Sequence, residues 1–189
     1  MATGDLSDPP PPSAPQTSVL IISASMGAGH DGAAHELARR LVQAGHQATV
    51  KDLLEAAPLH MGRSLREGYE FEIKHVPSAY DFAYRIWYWV PFLCPAVAWL
   101  VCLLTRRPVM HWVKETGAEV VVSTYPLATL CLGRLRKLGR LRVPAVNFIT
   151  DFGVHPLWVH RGVDLNLAVH EGPARMASHR TARPSFASG

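Results

Sequence analysis

Ser18-Val-Leu-Ile-Ile-Ser-Ala-Ser-Met-Gly-Ala-Gly-His-Asp-Gly-Ala-Ala34 decides the fold. Val19 to Ile22 is a short apolar run rich in β-branched residues, the composition of a strand buried on both faces of a parallel sheet. Gly27 and Gly29 follow at once, and glycine permits a tight turn and close approach of a ligand to the backbone. Asp31 is placed to cap a helix through Ala33, Leu37, Ala38 and Leu41, which Gly45 ends. This order of strand, glycine turn and helix predicts an α/β domain. It puts His30 at the C-terminal edge of the first strand beside a helix N-terminus, where open α/β sheets bind ligands. Many such turns bind nothing, so the turn alone leaves a structural and a functional His30 level. Gly32 comes too early for a G-x-G-x-x-G dinucleotide turn, and no Lys-Ser/Thr follows as in a P-loop.

Outward from this stretch, Ala48 to Val50 reads as a second strand ending at Asp52, with Glu119 to Ser123, Val143 to Ile149 and Asp164 to Val169 as the third to fifth. Thr124-Tyr-Pro126 leads into a helix through Leu127, Leu130, Leu132 and Leu135, and Glu67 to Lys74 has helical spacing. Short crossovers between such strands imply a Rossmann-like parallel sheet with flanking helices. The length of 189 residues suits one domain. Met1 to Thr17 is polar and Pro-rich and reads as a disordered lead-in without a signal peptide. Residues 174–189 lack periodicity and read as a disordered tail, leaving the domain over residues 18–173.

An apolar fraction of 48% is that of a globular protein. The net charge of +4, with only four lysines among 19 basic residues, permits an anionic partner without demanding one. Scattered basic residues and the lack of a recognition motif argue against nucleic acid. Cys94, Cys102 and Cys131 lack metal-ligand spacing, so no metal site is expected. Two of them lie in an apolar stretch and read as small buried hydrophobes, and the cysteines together point to a reducing, cytosolic setting.

The segment over residues 80–107 is unusual. Ile86 to Leu104 carries no charge and includes Trp87, Trp89, Phe92 and Trp99 with Pro91 and Pro95; Arg106 and Arg107 close it. As a membrane span its length is marginal. A core helix and an interfacial segment stand level on the residues alone: Trp and Tyr favour the headgroup level, and the arginines suit anionic lipid. A second basic group, Arg134, Arg136, Lys137, Arg140 and Arg142, ends the Leu127–Leu135 helix. It reads either as a solvated helix end favoured by the dipole or as a site for phosphate or anionic headgroups. Thr150-Asp-Phe-Gly-Val-His155-Pro-Leu-Trp158 again gathers Asp, His and Trp at a strand's C-terminal end.

Taken together, Met26-Gly-Ala-Gly-His30, Asp52, Ser123-Thr-Tyr-Pro126, Thr150 to Trp158 and Asp164 resemble the monogalactosyldiacylglycerol synthase family over roughly Val19 to Glu171. That family includes plant galactolipid synthases and bacterial processive diacylglycerol glucosyltransferases. The resemblance implies a GT-B architecture of two Rossmann-like domains, of which this chain matches the N-terminal, acceptor-binding one; the donor domain has no counterpart. It implies an inverting transfer of a hexose from a UDP-sugar to diacylglycerol or a related lipid, without a cofactor or metal. His30 matches the family's proposed general base, and an imidazole with a pKa near 6.5 suits deprotonation of a hydroxyl at neutral pH. Gly27, Gly29, His155, Trp158 and Arg134 fall on the acceptor side, and Asp151 is placed to orient an imidazole. The Trp-rich run falls where the family touches the membrane, with Trp87, Trp89, Phe92 and Trp99 as contacts, on the inner face of the cell membrane. A lipid- or membrane-binding module without catalysis is the alternative, and a nucleotide-binding Rossmann domain a third.

Overall fold

The computed structural model describes residues 15–26, 28–58 and 89–188, with residues 62, 64, 67 and 68. Among them, six strands form one fully parallel sheet: β1 (Ser18–Ser23), β2 (Gln47–Asp52), β3 (Val120–Ser123), β4 (Ala145–Ile149), β5 (Leu165–Ala168) and β6 (Ser185–Ala187). Their order is β2-β1-β3-β4-β5-β6. The helices are α1 (Ala28–Gln43), α2 (Cys94–Glu115), α3 (Pro126–Lys137) and α4 (Glu171–Thr181). This is the Rossmann-like α/β arrangement that the apolar runs predict.

Alternation along the strands sorts the helices onto the two faces. Leu20 and Ile22 point to a core shared with Cys102, Val109 and Trp112 of α2 and Leu132 and Leu135 of α3. Val19 and Ile21 point the other way, onto Ala34, Leu37, Ala38 and Leu41 of α1. Each Leu or Ile so buried contributes about 1.5–3 kcal/mol. Gly45 closes α1 as expected. At a φ of +87° it lets the His46 N–H reach the Leu41 carbonyl and its own N–H reach Val42, both at 3.0 Å.

Three expectations are corrected. Asp31 does not cap α1, because the helix starts at Ala28 and places Asp31 inside its first turn; the carboxylate instead accepts the Ser23 hydroxyl at 2.8 Å. Residues 174–189, expected to be disordered, lie largely in α4 and β6. The helix buries Pro173, Ala174, Ala177 and Thr181, a stripe too small-sided to stand out as apolar periodicity, and β6 is too short to show any. The basic group after Leu135 is not simply a solvated end either. Arg136 grips Asp164 through two bonds of 2.8 and 2.6 Å and also donates to the Leu141 and Arg142 carbonyls. Burial works against the Asp164 charge, but the Arg136 bonds and the Ala145 N–H outweigh it and hold the carboxyl below its usual value.

The expected helix over 67–74, the run 80–88 and the lead-in 1–14 lie outside the described residues, save residues 67 and 68. Pro91 and Pro95 shape the entry to α2 rather than break it: Pro91 opens a 3-10 turn, and Pro95 sits in the first helical turn. Ala98, Cys102, Thr105, Val109 and Trp112 bury one face of α2. Trp99, Leu100 and Leu103 stand out on the other, with Trp89 and Phe92 just before the helix 85% and 72% exposed. The core reading therefore describes one side of α2, and the other side is exposed. Among the described residues no helix is long and apolar enough to cross a membrane.

A buried polar chain runs across the middle of the sheet on the α3–α4 side. The Thr129 hydroxyl donates to Asn147 Oδ1 at 2.8 Å. Asn147 Nδ2 donates to the Trp158 carbonyl at 2.8 Å and to Asn166 Oδ1 at 3.0 Å, and Asn166 Nδ2 reaches the Thr181 and Ser185 hydroxyls. Replacing Asn147 by Ala strands several buried partners at once, so Asn147→Ala should lower the unfolding free energy by about 2–4 kcal/mol. Urea denaturation measures this, and a change within about 0.5 kcal/mol, the level of an ordinary surface substitution, would show that the chain of bonds carries no stability.

Candidate functional site

The strand order makes the site. β1, β3 and β4 are neighbours, so the loops leaving their C-terminal ends meet, and the chain's direction across the sheet reverses beside β1. Such a reversal is where doubly wound sheets hold ligands. β1 delivers His30 in the first turn of α1, β3 delivers Thr124 and Tyr125, and β4 delivers Thr150 and Asp151. The loop after β4 then brings back the short turn Pro156–Trp158.

His30 Nδ1 lies 3.1 Å from the Thr150 hydroxyl. That hydroxyl is 3.5 Å from Asp151 Oδ1, and Asp151 Oδ2 accepts the Trp158 indole N–H at 2.7 Å. Trp158 is fully buried. The His30 ring is wedged between aromatics, with Tyr125 edge-on at 5.4 Å and Trp158 tilted at 5.5 Å between ring centroids. The Tyr125 hydroxyl points to the Met26 sulfur at 3.2 Å. Asp52 braces the turn after β1 by accepting from the Ser25 hydroxyl and N–H while capping the Leu53–Ala56 turn through the Leu54 N–H at 2.8 Å.

Two opposed influences set the charge of His30. Burial is the larger and pushes the imidazole below its ordinary value; the Asp151 charge, a backbone hydrogen bond at Thr124 and the Asp31 charge pull it back up. The ring is therefore neutral at pH 7, with its lone pair available. His155 is pushed further, to about 4, by burial first, with Arg180 and His30 adding to it against Asp151.

The structure brings His30, Asp151, His155 and Trp158 together, the rings of the last two being 6.4 Å apart. Gly27 and Trp87 lie outside the described residues. Gly29 is helical rather than a turn residue, and a Cβ there would meet nothing within 4 Å, so packing does not demand glycine. Arg134 is not part of this cluster. It faces a separate cavity of about 820 Å³ together with Lys137 and His160. Sequence reasoning missed Thr150, the direct neighbour of the imidazole. A threonine just before Asp151 was legible as a motif, but nothing in the chain order says that it meets a residue 120 positions away. Among the described residues no group of three His, Cys, Asp or Glu side chains could hold a metal ion.

The family model for monogalactosyldiacylglycerol (MGDG) synthase matches residues 30–185. The chain belongs to the MGDG synthase family. Similar curated proteins are the processive diacylglycerol β-glucosyltransferases of Bacillus cereus (strain 03BB102), Bacillus cytotoxicus and Bacillus thuringiensis (strain Al Hakam). Each is 24% identical over 165 residues, which cover 77% of this chain and 37% of the relative. The chain thus spans little more than a third of the length of these relatives. No solved structure gives a significant match. The match ends at Ser185, so the family pattern includes α4 and the start of β6, the elements that replace the expected tail.

The buried neutral histidines make this MGDG synthase-family chain sensitive to acid. His155 and His160 both fall from 6.5 to about 4, in each case through burial first. The unfolded chain binds protons at these rings between those two values while the folded chain does not, so stability is full above pH 6.5 and lost as pH falls towards 4. The two together are worth several kcal/mol, each of the order of 3 kcal/mol. Thermal unfolding should therefore drop steeply between pH 7 and 5, and His160→Gln should flatten that slope; an unchanged slope would contradict the assignment.

Proposed function

We propose that this chain is the acceptor-binding part of a glycolipid-forming glycosyltransferase with two Rossmann-like domains in the GT-B manner. The reaction is an inverting transfer of a hexose from a UDP-sugar to diacylglycerol or a related lipid alcohol. The observation that carries this reading is the convergence of His30, Thr150, Asp151 and Trp158 at the strand reversal of a family whose curated relatives are named for diacylglycerol glucosyl transfer.

The geometry supports the following chemistry. With Nδ1 donating to Thr150, His30 Nε2 carries the lone pair and takes the proton of the acceptor hydroxyl as its oxygen attacks the anomeric carbon. Asp151, acting through Thr150, favours the imidazolium that forms. The nucleotide diphosphate leaves on the opposite face of the sugar, which inverts the anomeric centre. The UDP-sugar is a substrate, held mainly by a second domain, and the step calls for no cofactor.

Trp89, Phe92 and Trp99 are exposed on and before α2, and Arg106, Arg107 and Arg140 line a cavity of about 360 Å³ between α2 and α3. Such a face suits the headgroup layer of an anionic membrane, with the aromatics at the interface. Peripheral attachment to the inner face of the cell membrane fits it. This face also suits the second reading, a lipid-binding module without catalysis.

Two measurements separate the readings. In a longer enzyme that contains this chain, His30→Ala should cut sugar transfer by about 10²–10⁴-fold, the usual worth of a general base. Binding to vesicles should be unchanged. Transfer that survives His30→Ala overturns the catalytic assignment, and the non-catalytic module then stands if Trp99→Ala with Phe92→Ala still weakens vesicle binding.

A further inference from the structure

Cys102 and Cys131 are two nucleophilic groups that the reaction just derived leaves unused. Cys102 lies midway along α2 and Cys131 midway along α3, and the two helices pack side by side. Both thiols are free and sit in the same core cluster, at 3% and 0% exposure. The Cys131 thiol donates a hydrogen bond to the Cys102 sulfur. The Thr105 hydroxyl lies 3.3 Å from Cys131 Sγ and also donates to the Val101 carbonyl at 2.8 Å. The pair therefore meets across a helix seam with its geometry held from both sides. A buried cysteine that only fills space needs no such partner.

Their surroundings set the two sulfurs apart. Cys102 is pushed below the ordinary thiol value, first by the Cys131 hydrogen bond and then, against burial, by Arg134, Arg106 and Arg140. Cys131 is pushed well above it by the same bond, with burial adding to the rise. One sulfur is readied as a thiolate and the other is kept as its proton donor. Cys94, the third cysteine, is raised by burial. A thiolate among cations, beside a second thiol, is the arrangement of an attacking and a resolving cysteine.

The seam also has an approach for a small reagent. Arg106 stands one helical turn beyond Cys102 and Leu135 one turn beyond Cys131. Both line the cavity of about 360 Å³, together with Arg107, Met110 and Arg140. The cavity thus lies on the same seam, one turn from the two sulfurs. Burial of both thiols excludes a bulky oxidant such as glutathione disulfide and favours one near the size of water.

We propose that Cys102 and Cys131 form a peroxide-sensitive dithiol, in which Cys102 attacks hydrogen peroxide and Cys131 resolves the product into a disulfide that joins α2 to α3. The Cys102 thiolate sulfur takes one peroxide oxygen as a hydroxyl. The O–O bond breaks, and the other oxygen leaves as hydroxide and picks up a proton to become water. Cys102 is then a sulfenic acid. The Cys131 sulfur attacks the Cys102 sulfur, the S–O bond breaks, and the departing hydroxide takes the Cys131 proton. The two thiols lose two electrons and two protons, and one peroxide becomes two waters. The product staples α2, which carries the exposed Trp99 and Leu103, to the helix that starts beside Tyr125, the residue edge-on to His30. The dithiol stands whether or not His30 is a base.

The test treats the folded chain with hydrogen peroxide at pH 7, alkylates the remaining thiols and maps them by peptide mass spectrometry. Cys102 and Cys131 should disappear together into one linked peptide pair, lighter by two hydrogens. They should react about tenfold or more faster than Cys94, and dithiothreitol should restore both. In Cys131→Ser the reaction should stop at the Cys102 sulfenic acid, captured as its dimedone adduct. Cys102→Ser should leave Cys131 reduced. The same treatment in urea should erase the preference over Cys94. Oxidation of Cys94 ahead of the pair, a bond that includes Cys94, or a pair that stays reduced until urea unfolds the chain would overturn the proposal. These outcomes are read on the parent chain, so they hold however the variants fold. A disulfide in the parent with no Cys102 adduct in folded Cys131→Ser would overturn Cys102 as the attacking sulfur.

Discussion

A fully buried tryptophan must find a partner for its indole N–H, and in this chain the partner is Asp151 at 2.7 Å. That one bond ties the loop after β4 back onto the end of β4. It fixes the side on which the Asp151 carboxylate is spent and the side left to face Thr150 and His30. The backbone of the same tryptophan is held from beneath by Asn147, through the carbonyl oxygen, at 2.8 Å. Trp158 is therefore gripped at both ends by polar groups and packed by Ile149, Val154 and Ala168 in between. A polar group left without its partner in such a place costs about 1–3 kcal/mol, so the loop has one arrangement that satisfies it.

From that constraint the electrostatics of the sheet edge follow. Trp158 and Tyr125 close over His30 and dry it, which lowers its basicity, and Asp151 restrains the fall. His155, in the same loop, is drier still and stays neutral well below pH 7. The sheet edge thus carries a neutral imidazole backed by one carboxylate.

Much of this was legible in the chain, for definite reasons. Val19 to Ile22 and Val120 to Val122 announce buried strands because both of their faces are covered. Gly45 announces the end of α1 because its positive φ excludes other residues at low cost. The gathering of His30, Asp151 and Trp158 was legible as two clusters on one sheet edge and through the family resemblance. α4 was not legible, because alanines bury its inner face, and β6 was too short. The position of Arg134 was not legible either. Periodicity puts it on α3, but only the tertiary packing of α2 and α4 shows that it faces a cavity apart from His30. Asp52 and Asp164 were seen as motif residues, and the structure gives them bracing roles, one on the turn after β1 and the other on Arg136.

The α2 helix joins the two levels. Its Cys102, Val109 and Trp112 side completes the core over β1, and its Trp99 and Leu103 side is left bare. Its inner face locks the helix to the scaffold that carries His30, so a surface that engages the outer face would be held at a fixed distance from the imidazole. The central claim is that the His30 imidazole is kept neutral by burial and that Asp151 restrains the fall in its pKa. An NMR titration of the His30 ring in this chain, alone and with Asp151→Asn, tests it most directly. The account predicts a pKa below 6.5 in the parent and a further fall in the variant, because the carboxylate that supports the protonated ring is gone. A parent value at or above 6.5, or a variant value that rises, would contradict it.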